Sequence, residues 1–341
     1  MSTPHEETPS VAAAIRSFSF LVNPLSGGGA APGAVVPVAR LLRDAGATVD
    51  VTYSPGPRAT LDLVRSAVAR GDVVVSVGGD GMLSSIAGEV ATLGGTLGIV
   101  PAGRGNDFAR MLGLSDDPAD VAQVLLSGSA SAIDLVELGL PDGSTRVVAG
   151  SAYAGVDARA AELVDRAHWL PRRLQYPYAA VRSLATFTPA TYALVLDGTP
   201  IEVRAATVVV ANSGCYGSGM RIAPDASVTD GELDVVVIGA AGRLDLIRSL
   251  PKVYDGSHVA LPEVQVHRAR HVEISVTDTP TPRRASRRGG TPSSGSRTGR
   301  SAGGVPVGAD GEPLPPLTPG TRLTATSLTA TVLPGALSLL T

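Results

Sequence analysis

The sequence predicts an α/β domain with a parallel sheet, followed by a β-sandwich domain. In the first third, β-rich runs alternate with helical patterns, as in SFSFLVN, VVPVARLLRDAG and ATVDVTY. From about residue 131 the pattern changes to repeated strands, as in TYALVLDG, AATVVVANS and ELDVVVIG. Alternation of strands and helices is typical of a parallel sheet, and serial strands are typical of a sandwich. We place the domains at residues 17–135 and 136–335.

Composition limits the classes of protein that the chain can form. Its 341 residues, 44% of them hydrophobic, are enough for two cores. The net charge of -3 gives no general attraction to nucleic acid. A single cysteine excludes an intrachain disulfide, and the five histidines lack metal-ligand spacing. Without a long apolar run or an apolar leader, we expect a cytoplasmic protein.

Two segments interrupt the strand pattern of the second domain. Residues 159–187 read as helical and hold five arginines together with Trp169 and Tyr178. They fit either a lid over the cleft that meets a bilayer surface, or a solvated helix. Residues 278–304 are rich in arginine, serine and glycine, and nearly without large apolar side chains. We expect a flexible insertion there, because such a segment cannot offset the entropy of ordering.

Three loops in the first domain follow strand patterns. NPLSGGG at residues 23–29 ends the first strand, GGDGM at 78–82 follows DVVVSV, and PAGRGNDFAR at 101–110 follows LGIV. Glycines let backbone amides approach phosphate oxygens, and a helix start points free amides at an anion. Each loop alone is also explained as a turn. Because ligands of open α/β sheets bind at the carboxyl ends of the strands, we expect one shared cleft.

The chemistry of these loops is open in two respects. Asp80 fits a group that orders the loop backbone or a magnesium-bound water, and it also fits a helix N-cap. No G-x-x-x-x-G-K-[ST] pattern is present, and Lys252 is the one lysine of the chain. A P-loop mechanism is therefore excluded, and backbone amides, magnesium and Arg104 are left to hold phosphates.

The three loops, taken together, resemble a known family. NPLSGG, GGDGM and PAGRGNDFARMLG, in that order and spacing, are similar to the catalytic-domain motifs of diacylglycerol and sphingosine kinases. Downstream, residues 211–224 and the run DGELDV at 230–235 resemble the family's second group of motifs. The resemblance covers about residues 17–335 without the arginine-rich insertion. It implies an α/β nucleotide domain, a β-sandwich and an active site with ATP in the cleft between them.

The resemblance also implies roles for individual residues. The family's proton acceptor falls on Glu312, and Asp310 becomes a second carboxylate that orients Glu312 or binds a catalytic magnesium. Its structural magnesium site falls on Ser227, Asp230 and Glu232. Its nucleotide contacts fall on the following positions of this chain: Asn23, Pro24, Leu25, Ser26, Gly27, Ser54, Gly78, Gly79, Asp80, Gly81, Met82, Leu83, Ser84 and Arg104.

The residues themselves leave alternatives beside these roles. Glu312 also fits an exposed glutamate after an Asp-Gly hairpin, and the turn at Asp230 and Glu232 fits a plain strand connection. Asn212 ends a buried run, and its role stays open. Met82, Ser84 and Arg104 depart from the family pattern, which usually has Thr, Asn and Thr there. An arginine can pair bidentately with phosphate, so we interpret the changes as a variant pocket.

These points predict an ATP- and magnesium-dependent lipid kinase. The preferred reaction transfers the γ-phosphoryl group of ATP to diacylglycerol and gives phosphatidic acid. Sphingoid bases or other lipid alcohols as acceptors, an NAD kinase-like soluble kinase, and an inactive nucleotide-binding regulator are the alternatives. We expect the lipid substrate to be met by peripheral contact with a membrane, to which residues 283–300 add positive charge. We expect no nucleic-acid partner, and a homodimer stays open.

Overall fold

The computed structural model describes residues 16–167, 169–278, 304–320 and 326–341. The arginine-rich insertion predicted at about residues 278–304 falls almost entirely on residues 279–303, which lie outside the described residues. The polar start of the chain does so as well.

The first part of the chain alternates strands and helices. A 3-10 turn at Ser26–Gly28 follows the first strand. Its strands and helices are β1 (Ser17–Val22), α1 (Ala31–Asp44), β2 (Thr48–Tyr53), α2 (Pro57–Ala69), β3 (Val73–Gly78), α3 (Asp80–Thr92), β4 (Thr96–Pro101), α4 (Asp107–Met111) and α5 (Pro118–Ser127).

The strands of this part form a parallel sheet in the order β2-β1-β3-β4. All six residues of β3 are buried, as expected for a β-branched run with helices on both faces. Helix α1 turns Val35, Val38 and Leu42 towards this sheet, at the spacing of one helix face. The strands therefore end side by side, and the loops that follow β1, β3 and β4 lie at one edge.

The second part is dominated by antiparallel strands. A second 3-10 turn lies at Ser257–Ala260. The elements are β5 (Ala130–Gly139), β6 (Thr145–Val148), β7 (Ser151–Gly155), α6 (Val156–Arg166), α7 (Arg172–Thr186), β8 (Ala190–Leu196), β9 (Thr199–Ala211), β10 (Leu233–Gly239), α8 (Arg243–Asp255), β11 (Val264–Ala269), β12 (His271–Asp278), β13 (Val305–Ala309), β14 (Glu312–Leu317) and β15 (Ser327–Leu340).

The strands of both parts are joined by hydrogen bonds into one sheet. Antiparallel neighbours run in the order β14-β13-β7-β9-β8-β12-β15, and β15 then pairs with β4 in parallel. The antiparallel strands enclose a core that includes Val136, Tyr192, Val208 and Leu328. The predicted fold class, a parallel α/β part followed by a β-sandwich, is confirmed. The boundary at residues 135 and 136 stays a prediction, since β5 crosses it without a break.

Candidate active site

The three glycine-containing loops meet at the carboxyl edge of the parallel sheet. The loop after β4 passes so close to the loop after β3 that a Cβ atom on Gly103 would lie 2.4 Å from the Cα of Gly79. The amide of Ala102 donates to the carbonyl of Gly78 at 3.0 Å, which fixes the two loops side by side. A side chain at Gly103 would therefore have to displace backbone.

The first loop also requires a glycine, both for its backbone conformation and for its close contact with the third loop. Gly27 has a φ of +59°, in the left-handed region, and a Cβ there would lie 2.6 Å from the carbonyl oxygen of Ala102. The side chain of Asn23 accepts from the amide of Leu25 at 3.0 Å, which closes the turn. The first and third loops are thus in contact through backbone, as are the second and third.

Asp80, at the start of α3, holds the third loop. Its carboxylate accepts from the amides of Asp107 at 3.3 Å and Phe108 at 3.1 Å, the first residues of α4. Asp80 thus orders the loop backbone, which is one of the roles expected from the sequence, and its contact with a magnesium-bound water stays a prediction. Asp80 satisfies amides that a helix start would otherwise leave without partners.

Asp107 extends this chain of contacts into the second part of the molecule. Its side chain is buried and accepts from the amides of Ser218 at 2.8 Å and Gly219 at 2.6 Å. Burial, and then the nearby carboxylate of Asp80, raise the pKa of Asp107 to about 6. Asp107 stands in the motif quoted from the sequence, but its role in holding residues 218 and 219 was not predicted.

A cavity of about 410 Å³ opens between these loops and the helices of the second part. One side, the loop end, is lined by residues of 23–27, 79–84, 103–108 and 310–312. The other side, the helix end, is lined by α6, α7 and α8 and by the residues next to them. Its apolar contributors include Val156, Ala160, Ala161, Leu184, Leu246 and Leu250. One cavity therefore joins a polar, glycine-rich wall to an apolar one.

The helix end contains a carboxyl group with a buried oxygen that was not singled out from the sequence. Asp157, the second residue of α6, lines the cavity. Burial raises the pKa of Asp157, and hydrogen bonding from Thr207 and Tyr216 opposes that rise. The same carboxyl group helps to raise the pKa of the Tyr216 hydroxyl, after burial as the main cause.

Glu312 lies at the loop end, against the first turn of α3. A Cβ atom on Gly81 would lie 2.6 Å from Oε1 of Glu312, so the carboxylate rests on that glycine. The other oxygen, Oε2, accepts from the guanidinium of Arg146 at 2.5 Å. The Glu312 side chain is 47% exposed and lines the cavity. It is thus placed where a ligand at the start of α3 would meet it.

Asp310, two residues earlier, has a different environment. Its carboxylate accepts from the Ser84 hydroxyl, and from the amides of Ala149 at 3.2 Å, Gly150 at 3.1 Å and Ser151 at 2.7 Å. Burial raises the pKa of Asp310, opposed by the hydrogen bonds from Ser84, Ser151 and Gly150. With four donors on its two oxygens, Asp310 anchors the turn that carries Glu312.

Most of the predicted nucleotide contacts come together in this cavity. Among the described residues, the lining includes the following predicted positions: Asn23, Leu25, Ser26, Gly27, Gly79, Asp80, Gly81, Met82, Ser84 and Arg104. Pro24, Ser54, Gly78 and Leu83 are not part of it. Leu83 is buried in the core beside α3, and Ser54 instead accepts from the amide of Gly56 at 3.3 Å.

The predicted metal residues lie away from this cavity. The carboxylates of Asp230 and Glu232 are 3.8 Å and 3.7 Å from the guanidinium of Arg268, which also lies 3.5 Å from Asp234. The hydroxyl of Ser227 is 3.1 Å from that of Thr229. Within the described ranges, no three His, Cys, Asp or Glu side chains are grouped to hold a metal. The positive charge at this turn belongs to an arginine, and magnesium there stays a prediction.

Asn212, whose role the sequence left open, supports backbone. Its side-chain amide donates to the carbonyls of Asp134 at 2.9 Å and Ala149 at 2.8 Å, and the residue is fully buried. It therefore fixes the segment that leads into the amides bound by Asp310.

Comparison with known proteins agrees with this arrangement. The diacylglycerol kinase catalytic domain model matches residues 17–138, and the model of the YegS C-terminal NAD kinase beta sandwich-like domain matches residues 150–341. A diacylglycerol kinase of Mycobacterium tuberculosis (strain ATCC 25618 / H37Rv) is 34% identical over 263 residues, 76% of this chain and 85% of that protein. The chain belongs to the diacylglycerol kinase family.

Other members of the diacylglycerol kinase family are more distant. A diacylglycerol kinase of Bacillus subtilis (strain 168) is 24% identical over 61% of this chain and 68% of its own length. The crystal structure of a diacylglycerol kinase from Bacillus anthracis str. Sterne superposes with a TM-score of 0.63 at 16% identity, and covers 96% of both chains. At that identity, the superposition shows that the two chains share a fold. None of the helices in the described ranges has the length and apolar character needed to span a membrane.

Proposed function

We propose that this member of the diacylglycerol kinase family transfers the γ-phosphoryl group of ATP to the free hydroxyl of diacylglycerol, giving phosphatidic acid. The observation that carries the proposal is the single cavity in which the glycine-rich loop end, with Glu312, faces the apolar helix end. A phosphate donor suits the first wall and an acyl chain suits the second. A transfer between them needs both in one cavity.

The loop end suits a triphosphate because its donors are backbone amides. Gly79, Asp80 and Gly81 lie at the start of α3, where helix amides are free and the dipole favours an anion. Arg104 lines the same wall and supplies positive charge. Magnesium enters with ATP as part of the substrate, and it neutralises phosphate charge there.

Glu312 suits the proton acceptor. The lipid hydroxyl oxygen forms a bond to the γ-phosphorus, and the bond from that phosphorus to the β–γ bridging oxygen breaks, so ADP leaves. The hydroxyl proton passes to the Glu312 carboxylate late in the displacement. Between the two carboxylates of the turn, Glu312 is the better candidate, because the oxygens of Asp310 already accept four hydrogen bonds.

The helices around the helix end also suit contact with a bilayer. Trp169, on the connection between α6 and α7, is 66% exposed, and Leu244, on α8, is 67% exposed. All three helices also contribute residues to the cavity lining. Exposed arginines, among them Arg182 and Arg248, stand on α7 and α8. Apolar side chains next to positive charge favour an anionic membrane surface. We propose that the lipid enters the cavity from that side.

A second candidate function is phosphorylation of NAD. It is favoured by one observation, the match of residues 150–341 to a domain model described as NAD kinase-like. The apolar lining of the helix end argues against it, because a dinucleotide has no long apolar part to place there.

The test is transfer of labelled γ-phosphate from magnesium-ATP to diacylglycerol in mixed micelles, with parallel reactions on a sphingoid base and on NAD. The wild type is expected to label diacylglycerol, and Glu312→Gln is expected to lower kcat by about a hundred- to ten-thousandfold. Glu89→Gln is the matched control, since Glu89 also pairs with an arginine at 2.6 Å but lies outside the cavity.

Other outcomes separate the alternatives. Labelling of the sphingoid base alone would change the acceptor, and labelling of NAD alone would replace the proposal. Binding of ATP without transfer to any acceptor would favour a nucleotide-binding regulator.

A further inference from the structure

All three residues of the Asp-Gly-Glu turn are held by one neighbouring segment, residues 146–153. Amides of this segment bind the carboxylate of Asp310. The amide of Gly311 donates to the hydroxyl of Tyr153 at 3.1 Å. The guanidinium of Arg146 donates to Oε2 of Glu312 at 2.5 Å. Of these contacts, that of Arg146 is made to the side chain that lies against the start of α3.

Arg146 itself stands on a fixed support. It lies on β6, which pairs with β5, so its backbone is part of the sheet. The next residue, Val147, packs so tightly on α3 that a Cβ atom on Gly88 would lie 2.9 Å from its Cβ. The Arg146 side chain is only 25% exposed, although the Glu312 side chain is 47% exposed. A partly buried cation on a rigid strand thus meets a more exposed carboxylate.

Two structural features indicate that the stability of the turn does not depend on Arg146. Asp310 already fixes the turn with four hydrogen bonds, and Gly311 adds another. The turn therefore keeps its shape without Arg146. Among the described residues, Arg146 donates the hydrogen bond that sets the direction of the Glu312 carboxylate, whose side chain otherwise has several rotamers available in solvent.

We propose that Arg146 is a positioning residue for phosphoryl transfer, which holds Oε2 of Glu312 so that Oε1 faces the start of α3. The inference rests on the proposed function, in which Glu312 accepts the proton of the lipid hydroxyl. A proton acceptor acts only within hydrogen-bonding reach of its donor, and small displacements of such groups lower rates strongly.

The experiment compares Arg146→Gln and Arg146→Lys with wild type in the micelle assay, with Arg65→Gln as the matched control. Arg65 makes a similar ion pair with Glu89 at 2.6 Å, outside the cavity. For Arg146→Gln we expect kcat to fall about ten- to a hundredfold, with the KM for ATP changed less than about threefold. Arg146→Lys keeps the charge but not the planar donor, so it should recover part of the rate.

A double variant provides a readout that a purely structural role would not change. In the double variant with Glu312→Gln, the Arg146→Gln change should cause no further loss, because its target is already removed. Thermal melting of all variants should stay close to that of Arg65→Gln.

Failure of this inference differs from failure of the proposed function. If Arg146→Gln keeps the wild-type kcat while Glu312→Gln is inactive, Arg146 does not position Glu312 and the proposed function stands. If Arg146→Gln raises the KM for ATP more than about tenfold at unchanged kcat, Arg146 binds nucleotide instead. If wild type transfers phosphate to no lipid, both are overturned.

Discussion

The loop end and the helix end of the cavity are built from different parts of the chain. At the loop end the wall is largely backbone, brought together by glycines whose neighbours leave no room for a side chain. At the helix end the wall includes side chains on α6, α7 and α8 and on the residues next to them, and the small Ala160, Ala161 and Ala180 leave space there. The difference suggests that the two ends can be changed independently, one through backbone spacing and the other through side-chain volume.

The loop end should be the more sensitive of the two. In Gly103→Ala, the added Cβ would lie 2.4 Å from the Cα of Gly79, so one of the two loops must shift. We expect the shifted loop to lose two amide hydrogen bonds to a phosphate of ATP. Such a loss corresponds to a drop in ATP affinity of roughly a hundredfold or more. Calorimetric titration with magnesium-ATP measures the change.

Gly33→Ala is the control for that substitution, because nothing lies within 4 Å of an added Cβ and the residue is inside α1. It should keep ATP affinity and gain up to about 1 kcal/mol of stability. Equal ATP affinity in wild type and Gly103→Ala would mean that the loop end does not bind the nucleotide.

The helix end should respond to volume without affecting ATP. Ala161→Phe places an aromatic ring on the half-buried face of α6 that lines the cavity. Overfilling costs about 1–3 kcal/mol, so the KM for diacylglycerol should rise roughly thirtyfold while the Kd for ATP stays unchanged. Steady-state kinetics in mixed micelles test both values. Ala59→Phe, on the half-buried face of α2, is the control, and an equal rise there would remove the distinction between the two ends.

The smallest effect is expected on the outside of the helix end. Leu244→Ser removes an exposed leucine from α8, and about 1 kcal/mol of apolar contact with a bilayer corresponds to about a fivefold loss of binding. Sedimentation with vesicles that contain anionic lipid measures it, and activity on a short-chain, water-soluble diacylglycerol should not change. Val36→Ser on α1, where the valine is similarly exposed, should bind vesicles as wild type does. Equal loss in both variants would argue against a dedicated surface.

The difference between the loop end and the helix end also explains which features could be predicted from the sequence. The loop end was visible because glycines that must adopt a positive φ, or allow close backbone approach, leave a local pattern, as at Gly27 and Gly103. The fold class followed from strand and helix periodicity, and both predictions needed only neighbouring residues. Asp310 and Glu312 were found through the family resemblance rather than through their surroundings.

What could not be predicted depends on distant parts of the chain. Arg146 and Glu312 are 166 positions apart in the sequence, and Ser84 and Asp310 are 226 positions apart. No local sequence pattern can therefore indicate either pair. The helix end could not be predicted either, because alanines and leucines that line a cavity have the same sequence spacing as those that fill a core. Leu83 shows the same limit: it directly follows the second loop motif and was predicted to contact the nucleotide, and yet it lies in the core.

Strand β15 links parts of the molecule that the two matching domain models treat separately. It pairs with β12 and β5 in the antiparallel part and with β4 in the parallel part. Leu328 belongs to the core of the sandwich, Leu339 to the core beside α3, and Leu340 to the core beside α1. Loss of this one strand would open three hydrophobic clusters at once. Both walls of the cavity should therefore melt in a single cooperative transition, with equal calorimetric and van't Hoff enthalpies.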